Sequence, residues 1–293
     1  MNKGTTCTLP IHTIQSKAED FPDILRHIPD PPDMLFIKST NWPDLLQRPW
    51  VAIVGSRKVT SYGRAVTAQL AGDLAASGLV IVSGLAIGVD GIAHQATLQA
   101  GGLTVAVLAG GLDRIHPGSH QQLAGQILSQ GGALISEYPI GIPSYPQHFV
   151  ARNRLVSGLS QAIVITEAAE KSGTLHTARF ALEQGREVFA VPGNITSRTS
   201  AATNSLIKSG ASPVTSSRDI LQSLGLAPVQ KVLPKGNNPA EQCLLELLAS
   251  GEIEGAVLLA KTGLGASVFN QTLTMLEITG KVRSLGGNRW TIG

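Results

Sequence analysis

The chain predicts an α/β fold built on a mostly parallel, twisted sheet, followed by a small winged-helix module at the carboxyl end. Three observations carry this. Short apolar runs recur along the first three quarters of the sequence, each running into a loop rich in glycine, serine or proline. Between most of them lie ten to twenty residues with helical spacing of apolar positions. Beyond a stretch punctuated by proline, glycine and asparagine, the tail reads as three helices and a hairpin.

The strands are expected at 50–54, 79–82, 104–108, 133–136, 162–166 and 187–191. Continuous apolar runs of this length belong to parallel strands covered on both faces. The loops that follow them are GSRKVTSYG, SGLAIGVDG, AGGLDRIHPGSH, EYPIGIPSYP, EAAEKSG and PGNITSRTS, and helical patterns occupy 65–77 and 90–100. In open sheets of this kind ligands bind outside the carboxyl ends of the strands, where the strand order reverses, so function is expected in these loops. The loop after 162–166 carries Lys171, Ser172, Gly173 and Thr174, with Thr174 placed to cap a helix over 175–184 whose apolar positions are Leu175, Ala178 and Leu182. The first N–H groups of such a helix suit a phosphate, though an ordinary βα turn has the same look.

At 293 residues the chain has room for one large and one small domain, and 43% hydrophobic against 15% charged residues is a core-rich, globular composition. No run approaches the roughly 18 apolar residues of a membrane span, and the first residues lack the pattern of a signal peptide. With two isolated cysteines, Cys7 and Cys243, the expectation is a reducing cytoplasm without a structural disulfide. The expected organisation is a poorly ordered segment over 1–19, the α/β domain over 20–225, a linker over 226–238 and the winged helix over 239–293.

The net charge of +3 permits a nucleic-acid binder without demanding one. Placement says more: residues 51–225 hold twelve Lys or Arg against nine Asp or Glu, and Arg57, Arg114, Arg152, Arg154, Lys171 and Arg198 fall at expected strand ends. Cations gathered there would attract a polyanion in a salt-dependent way. Tyr138, Tyr145 and Phe149 fall just ahead of Arg152-Asn153-Arg154, in what reads as a loop. Rings beside guanidinium groups suit unstacked bases, although Phe149 equally suits core packing.

Catalytic patterns are missing. The chain has no GxxxxGK[ST], GxGxxG after the first strand, or GxSxG. His116 and His120 are separated by Pro117-Gly118, which breaks the helix a metal pair would need, so neither a metal nor a cofactor is expected. Asp90 sits where a helix N-cap belongs, with His94 a packed histidine behind it. Glu137 and Glu167 are the carboxylates best placed for acid or base work, and orienting Arg57 or Arg154 is the preferred role for one of them.

In the tail, helices are expected over 239–250, 255–262 and 266–279, with a hairpin over 281–285 and 289–292. The candidate recognition helix, SVFNQTLTMLEITG, has no Lys or Arg, which argues for a protein contact as much as for duplex reading. Lys281, Arg283 and Arg289 in the wing remain candidates for phosphate.

The run from Pro29 to Leu224 resembles the DNA-processing protein A family (DprA, also called Smf). The resemblance lies in VAIVGSR with TSYG, SGLAIGVDGIAH, AVLAGGLDRIHP, ISEYPIG, RNRLVSGLS, EAAEKSGTLHTARFALEQGREVFAVPG and ATNSLIKSGA, in order over about two thirds of the chain. It implies an extended Rossmann-like core that binds single-stranded DNA without catalysis, forms a homodimer and helps load the RecA recombinase onto strands imported during natural transformation. By position it implies that Gly55, Ser56 and Arg57, Phe149, Arg152, Asn153 and Arg154, and Lys171, Ser172, Gly173 and Thr174 contact DNA. The tail resembles the winged helix many members append. Departures are the AGG at 109–111, His176 and the AATN at 201–204. A small helical domain found at the front of most members is expected to be missing. The alternative reading is a nucleotide-processing enzyme similar to lysine-decarboxylase-like phosphoribohydrolases, echoed by Glu167 and Lys171-Ser172-Gly173-Thr174. A weaker third reading is a transcription regulator led by the winged helix.

Overall fold

Nine strands form one sheet in the computed structural model, which describes residues 9–170, 172–227 and 234–292. The chain divides into two compact units, Met1–Val229 and Gln230–Gly293. In the first, β1 (His12–Gln15), β2 (Met34–Ser39), β3 (Trp50–Val54), β4 (Val80–Ser83), β5 (Thr104–Val107), β6 (Ala133–Ser136), β7 (Ala162–Ile165), β8 (Glu187–Ala190) and β9 (Ser212–Pro213) lie in the order β1-β2-β6-β5-β4-β3-β7-β8-β9. Strands β3 to β9 pair in parallel, whereas β2 runs antiparallel to both its neighbours, β1 and β6. The extended Rossmann-like architecture is therefore present, lengthened by an antiparallel pair.

Helices α1 (Asp23–Arg26), α2 (Trp42–Leu46), α3 (Ser61–Ala76), α4 (Val89–Gln99), α5 (Gln121–Ser129), α6 (Pro146–Gly158), α7 (Thr174–Glu183), α8 (Ala201–Lys208) and α9 (Ser217–Ser223) complete this unit. The sheet alternates its side chains between two apolar layers. Ala52, Val82, Ile163 and Ile165 point into one, with Leu155 and Val156 of α6, and Val51, Ile53, Ile81 and Val164 into the other, with Leu70 and Leu74 of α3. This is why the strands carry no polar alternation: both faces are buried.

Part of the segment expected to be poorly ordered is structured. Residues 1–8 lie outside the described residues, but His12–Gln15 pairs with β2 from His12↔Ile37 to Gln15↔Met34. With Ile14 its one buried side chain, β1 is too short and polar to show periodicity. Of the expected linker at 226–238, residues 228–233 lie outside the described residues, and Leu226 packs against the core. No helix among the described residues is long and apolar enough to cross a membrane.

The second unit contains α10 (Pro239–Ala249), α11 (Gly255–Thr262), α12 (Ala266–Ile278), β10 (Val282–Gly286) and β11 (Arg289–Ile292), packed around Leu244, Leu258, Phe269, Leu273 and Leu276. A bridge from Glu254 to Arg289 adds a third strand position to the hairpin, giving the winged helix. Lys281 is drawn to Glu241 (3.6 Å) and the Lys235 carbonyl (2.8 Å), while Arg283 and Arg289 are exposed.

Asp90 is not the N-cap of α4. Gly88 takes that position, and Asp90, the second residue of the helix, accepts bonds from the N–H groups of Gly84 (3.1 Å) and Ala86 (3.4 Å). His94 is fully buried. The Thr104 hydroxyl donates its proton to the Ile81 carbonyl (2.6 Å), so His94 Nδ1–H donates to Thr104 Oγ1 (2.7 Å), and Nε2 is left buried without a partner. Burial, followed by the charges of His120 and Arg152, lowers its pKa from 6.5 to about 3.

The unfolded chain therefore binds a proton below pH 6.5 that the folded chain refuses until about pH 3, and stability falls as pH falls through that window. At about 1.4 kcal/mol per unit, His94 is expected to cost roughly 2 kcal/mol between pH 6.5 and 5. Urea melts across this range should show a shallower pH dependence for His94→Asn; equal slopes would remove the assignment.

Candidate functional site

The strand order reverses at β3, which has β4 on one side and β7 on the other. The loops leaving β3 and β7 are joined there: Ser56 N–H donates to the Glu167 carbonyl at 2.7 Å. Gly55 fits because a Cβ would lie 2.7 Å from Val89 and 2.8 Å from that same carbonyl. Gly88, at φ +86°, meets the loop from the other side, where a Cβ would lie 2.7 Å from Arg57 Cα. The Ser56 carbonyl accepts from Val89 N–H (3.1 Å) and its hydroxyl closes a small turn with Lys58.

Glu167 is 2% exposed. Its Oε1 accepts from the Thr60 hydroxyl (2.8 Å) and its Oε2 from Thr60 N–H (2.9 Å). It shapes the loop that carries Arg57 and makes no ion pair with the arginine. Glu137 does hold an arginine, since both of its oxygens accept from Arg154 (3.1 and 2.7 Å).

The expected cationic cluster separates into three environments. Phe149, Arg152, Asn153 and Arg154 are on helix α6, not in a loop. The helix turns one face inward, and Arg152 goes with Leu155 and Val156 into the interior, where it is 3% exposed. Its Nη1 donates to the carbonyls of Gly84 (2.6 Å) and Val107. Burial lowers its pKa to about 10, with Asp90 opposing and Arg57 adding to the fall. Burial likewise pushes the Asp90 carboxyl up, against the pull of Arg152. Arg152 is thus a structural cation, contrary to the expectation that it faces DNA. Arg154 is not a free cation either: besides Glu137 it donates Nε to Asp30 (2.6 Å), and its side chain is 12% exposed. Asn153 is half-buried beside them.

Arg57 alone of the three arginines stays in solvent, its guanidinium 5.4 Å from the centre of the Phe149 ring. That is cation–π distance. His116 meets the same ring edge-on at 5.4 Å. Beside them Tyr138 stacks on His148 (4.1 Å between ring centres, 15° between planes), and Tyr145 meets His148 edge-on at 5.2 Å. His116 and His148 were not among the expected site residues; a histidine adjacent to Phe149 in sequence was the available signal. Lys171 lies outside the described residues. Ser172 and Thr174 are joined, the Ser172 hydroxyl donating to Thr174 Oγ1 (2.9 Å) and accepting from its N–H (3.2 Å). Gly173 is the N-cap and Thr174 the first residue of α7, so Thr174 is not the cap; the Ser172 hydroxyl instead takes the N–H of the first helical residue. No cluster of three or more potential metal ligands occurs among the described residues. The arrangement presents a cation backed by rings, suited to a phosphate and to unstacked bases.

A family model described as DNA recombination-mediator protein A matches residues 12–225, and one described as DprA winged helix domain matches 230–288. Protein Smf of Escherichia coli (strain K12) is 45% identical over 213 residues, 73% of this chain and 56% of that protein, so the chain spans little more than half of this relative's length. DNA processing protein DprA of Bacillus subtilis (strain 168) is 41% identical over 224 residues, covering 76% of this chain and 75% of the relative. Among solved structures, DNA processing protein A from Streptococcus pneumoniae superposes with a TM-score of 0.68 at 39% identity, covering 73% of this chain and 75% of its own. A structure of the Helicobacter pylori protein, solved for its single-stranded DNA binding mode, gives 0.65 at 31% identity over 74% of this chain and 96% of its own.

The contrast between the arginines is testable by stability. Arg152→Met should cost about 3–5 kcal/mol, because it strands buried carbonyls and Asp90, whereas Arg57→Ala should stay within about 0.5 kcal/mol of wild type. Urea denaturation measures both, and an Arg152→Met chain as stable as wild type would contradict the buried role.

Proposed function

From the premise that this chain belongs to the DNA recombination-mediator protein A family, we propose that it grips single-stranded DNA at Arg57 and Phe149 and serves, without chemistry of its own, as a recombination mediator. The observation that carries this is the exposed Arg57 guanidinium resting on the Phe149 ring at the switch point of the sheet. A phosphate pairs with the guanidinium while a neighbouring base stacks on the aromatic cluster, and neither contact reads sequence. The likeness to the Helicobacter pylori protein supports the same choice of ligand. In this reading Gly55, Ser56, Ser172, Gly173 and Thr174 shape the floor, while Arg152 and Arg154 hold α6 in place behind it. The remaining parts of the proposal are a homodimer, a cytoplasmic setting and transfer of the bound strand to RecA during natural transformation. The hydrolase alternative is disfavoured by Glu167, each of whose carboxylate oxygens already accepts a bond from Thr60.

Binding of fluorescent oligo(dT) across a salt series tests the reading. Phe149→Ala should lose about 1–3 kcal/mol of affinity, and Arg57→Ala should both weaken binding and flatten the salt slope by about 0.7. Arg154→Ala, already paired in the folded chain, should leave that slope unchanged. An Arg57→Ala chain that binds like wild type would sink the proposal. RecA filament formation on oligonucleotides precoated with a single-strand-binding protein tests the mediator step.

A further inference from the structure

Three clefts in the first unit are lined by residues near in sequence or contact to the loops and helix that carry Arg57 and Phe149, and their charges differ. The one beside Tyr62 and Pro192 has the Glu167 carboxylate in its wall. The one beside Phe180 is lined by Asp30, Glu137 and Glu183, with Arg154 the cation they surround. A polyphosphate chain is repelled from both. The third, a groove of about 360 Å³ between the first turns of α3, the start of α4 and one face of α5, is lined by Arg64, Gln95, Ser119, His120, Gln122 and Gln126 beside Gly88, Gly91, Ile92 and Leu123. Neither Asp nor Glu stands in that lining.

Two segments link this groove to the platform. Gly88 borders it and abuts the Arg57 backbone. From the other side, the segment bearing His116, which touches Phe149, leads four residues later to His120, whose Nδ1 lies 2.9 Å from the Leu85 carbonyl and whose ring packs on Gly91. Arg64 is exposed and no ion pair ties it down among the described residues. Gln95, Gln122 and Gln126 are exposed too, and their amide N–H₂ groups donate to phosphate oxygens without adding charge.

Resting on the proposed function, we infer that the bound single strand leaves the platform along the groove between α3, α4 and α5, its phosphates tracked by Arg64 and by the amides of Gln95, Gln122 and Gln126. The platform fixes one end of the strand and the groove sets how many nucleotides are covered. Electrostatics selects this exit, because a carboxylate-free lining with one arginine is the attractive course among the three.

The test is affinity against length, using the full chain and oligo(dT) from about 4 to about 16 nucleotides, a span typical of strand-tracking grooves. Wild type should gain affinity with length. Q122E/Q126E should abolish most of that gain, about tenfold on the longest oligonucleotide with little change on the shortest. Arg64→Ala should lower the salt slope by about 0.7 on the longest only, and Q122K/Q126K should tighten long-strand binding. All four positions are on the surface, and thermal melts of each variant verify folding. If Q122E/Q126E and Arg64→Ala match wild type at every length while Arg57→Ala still weakens binding, the groove is not the exit and the platform stands. If wild type shows no affinity for oligo(dT) at any length, the functional reading and this inference fail together.

Discussion

A guanidinium removed from water has to be met by oxygen atoms, and that requirement at Arg152 fixes much of what surrounds it. The Gly84 and Val107 carbonyls lie just past β4 and at the end of β5, and Arg152 reaches both from α6. Asp90, held by N–H groups of the loop after β4, supplies the opposing charge. A cation so enclosed is strongly destabilising if it loses its partners, so the helix cannot slide or rotate without cost. Phe149 lies three residues earlier, nearly one helical turn, and is thereby set at the rim where Arg57 meets it. A residue almost wholly withdrawn from solvent decides where the more exposed ring will stand.

Glu167 plays the matching part for the other half of the site. Its backbone carbonyl holds Ser56 and its carboxylate holds Thr60, so one residue after β7 dictates the path of the loop after β3. The parallel sheet makes this possible by ending adjacent strands at the same level. Arg57 therefore projects from a loop braced by Glu167 on one side and by Gly88 on the other.

The sheet was legible because its strands are short, wholly apolar and separated by turn residues. β3 to β8 appear within a residue or so of the expected bounds, whereas β2 and β9 were not expected. β1 was not legible, since a four-residue edge strand with one buried side chain has no pattern to read. At the candidate site, Arg57 and Phe149 were both among the expected residues and do lie together, but Arg152-Asn153-Arg154 read as a cationic loop. Pro146 at the first turn of α6 was the signal that a helix begins there. Which face of that helix turns inward depends on long-range carbonyl partners that a linear reading cannot supply. Arg154 fell to the same limit, its partners Glu137 and Asp30 being 17 and 124 residues away.

The contact between Arg57 and Phe149 has a consequence for the conformational freedom of the guanidinium. An arginine on an open surface samples many rotamers, and ordering such a side chain on binding costs about 0.5–1.5 kcal/mol. Here the ring already narrows that sampling, so under the proposed function an arriving strand would meet an arm close to its working orientation. A lysine at position 57 would keep the formal charge but lose the flat contact with the ring and the forked donors, and the deficit should emerge mainly as faster release.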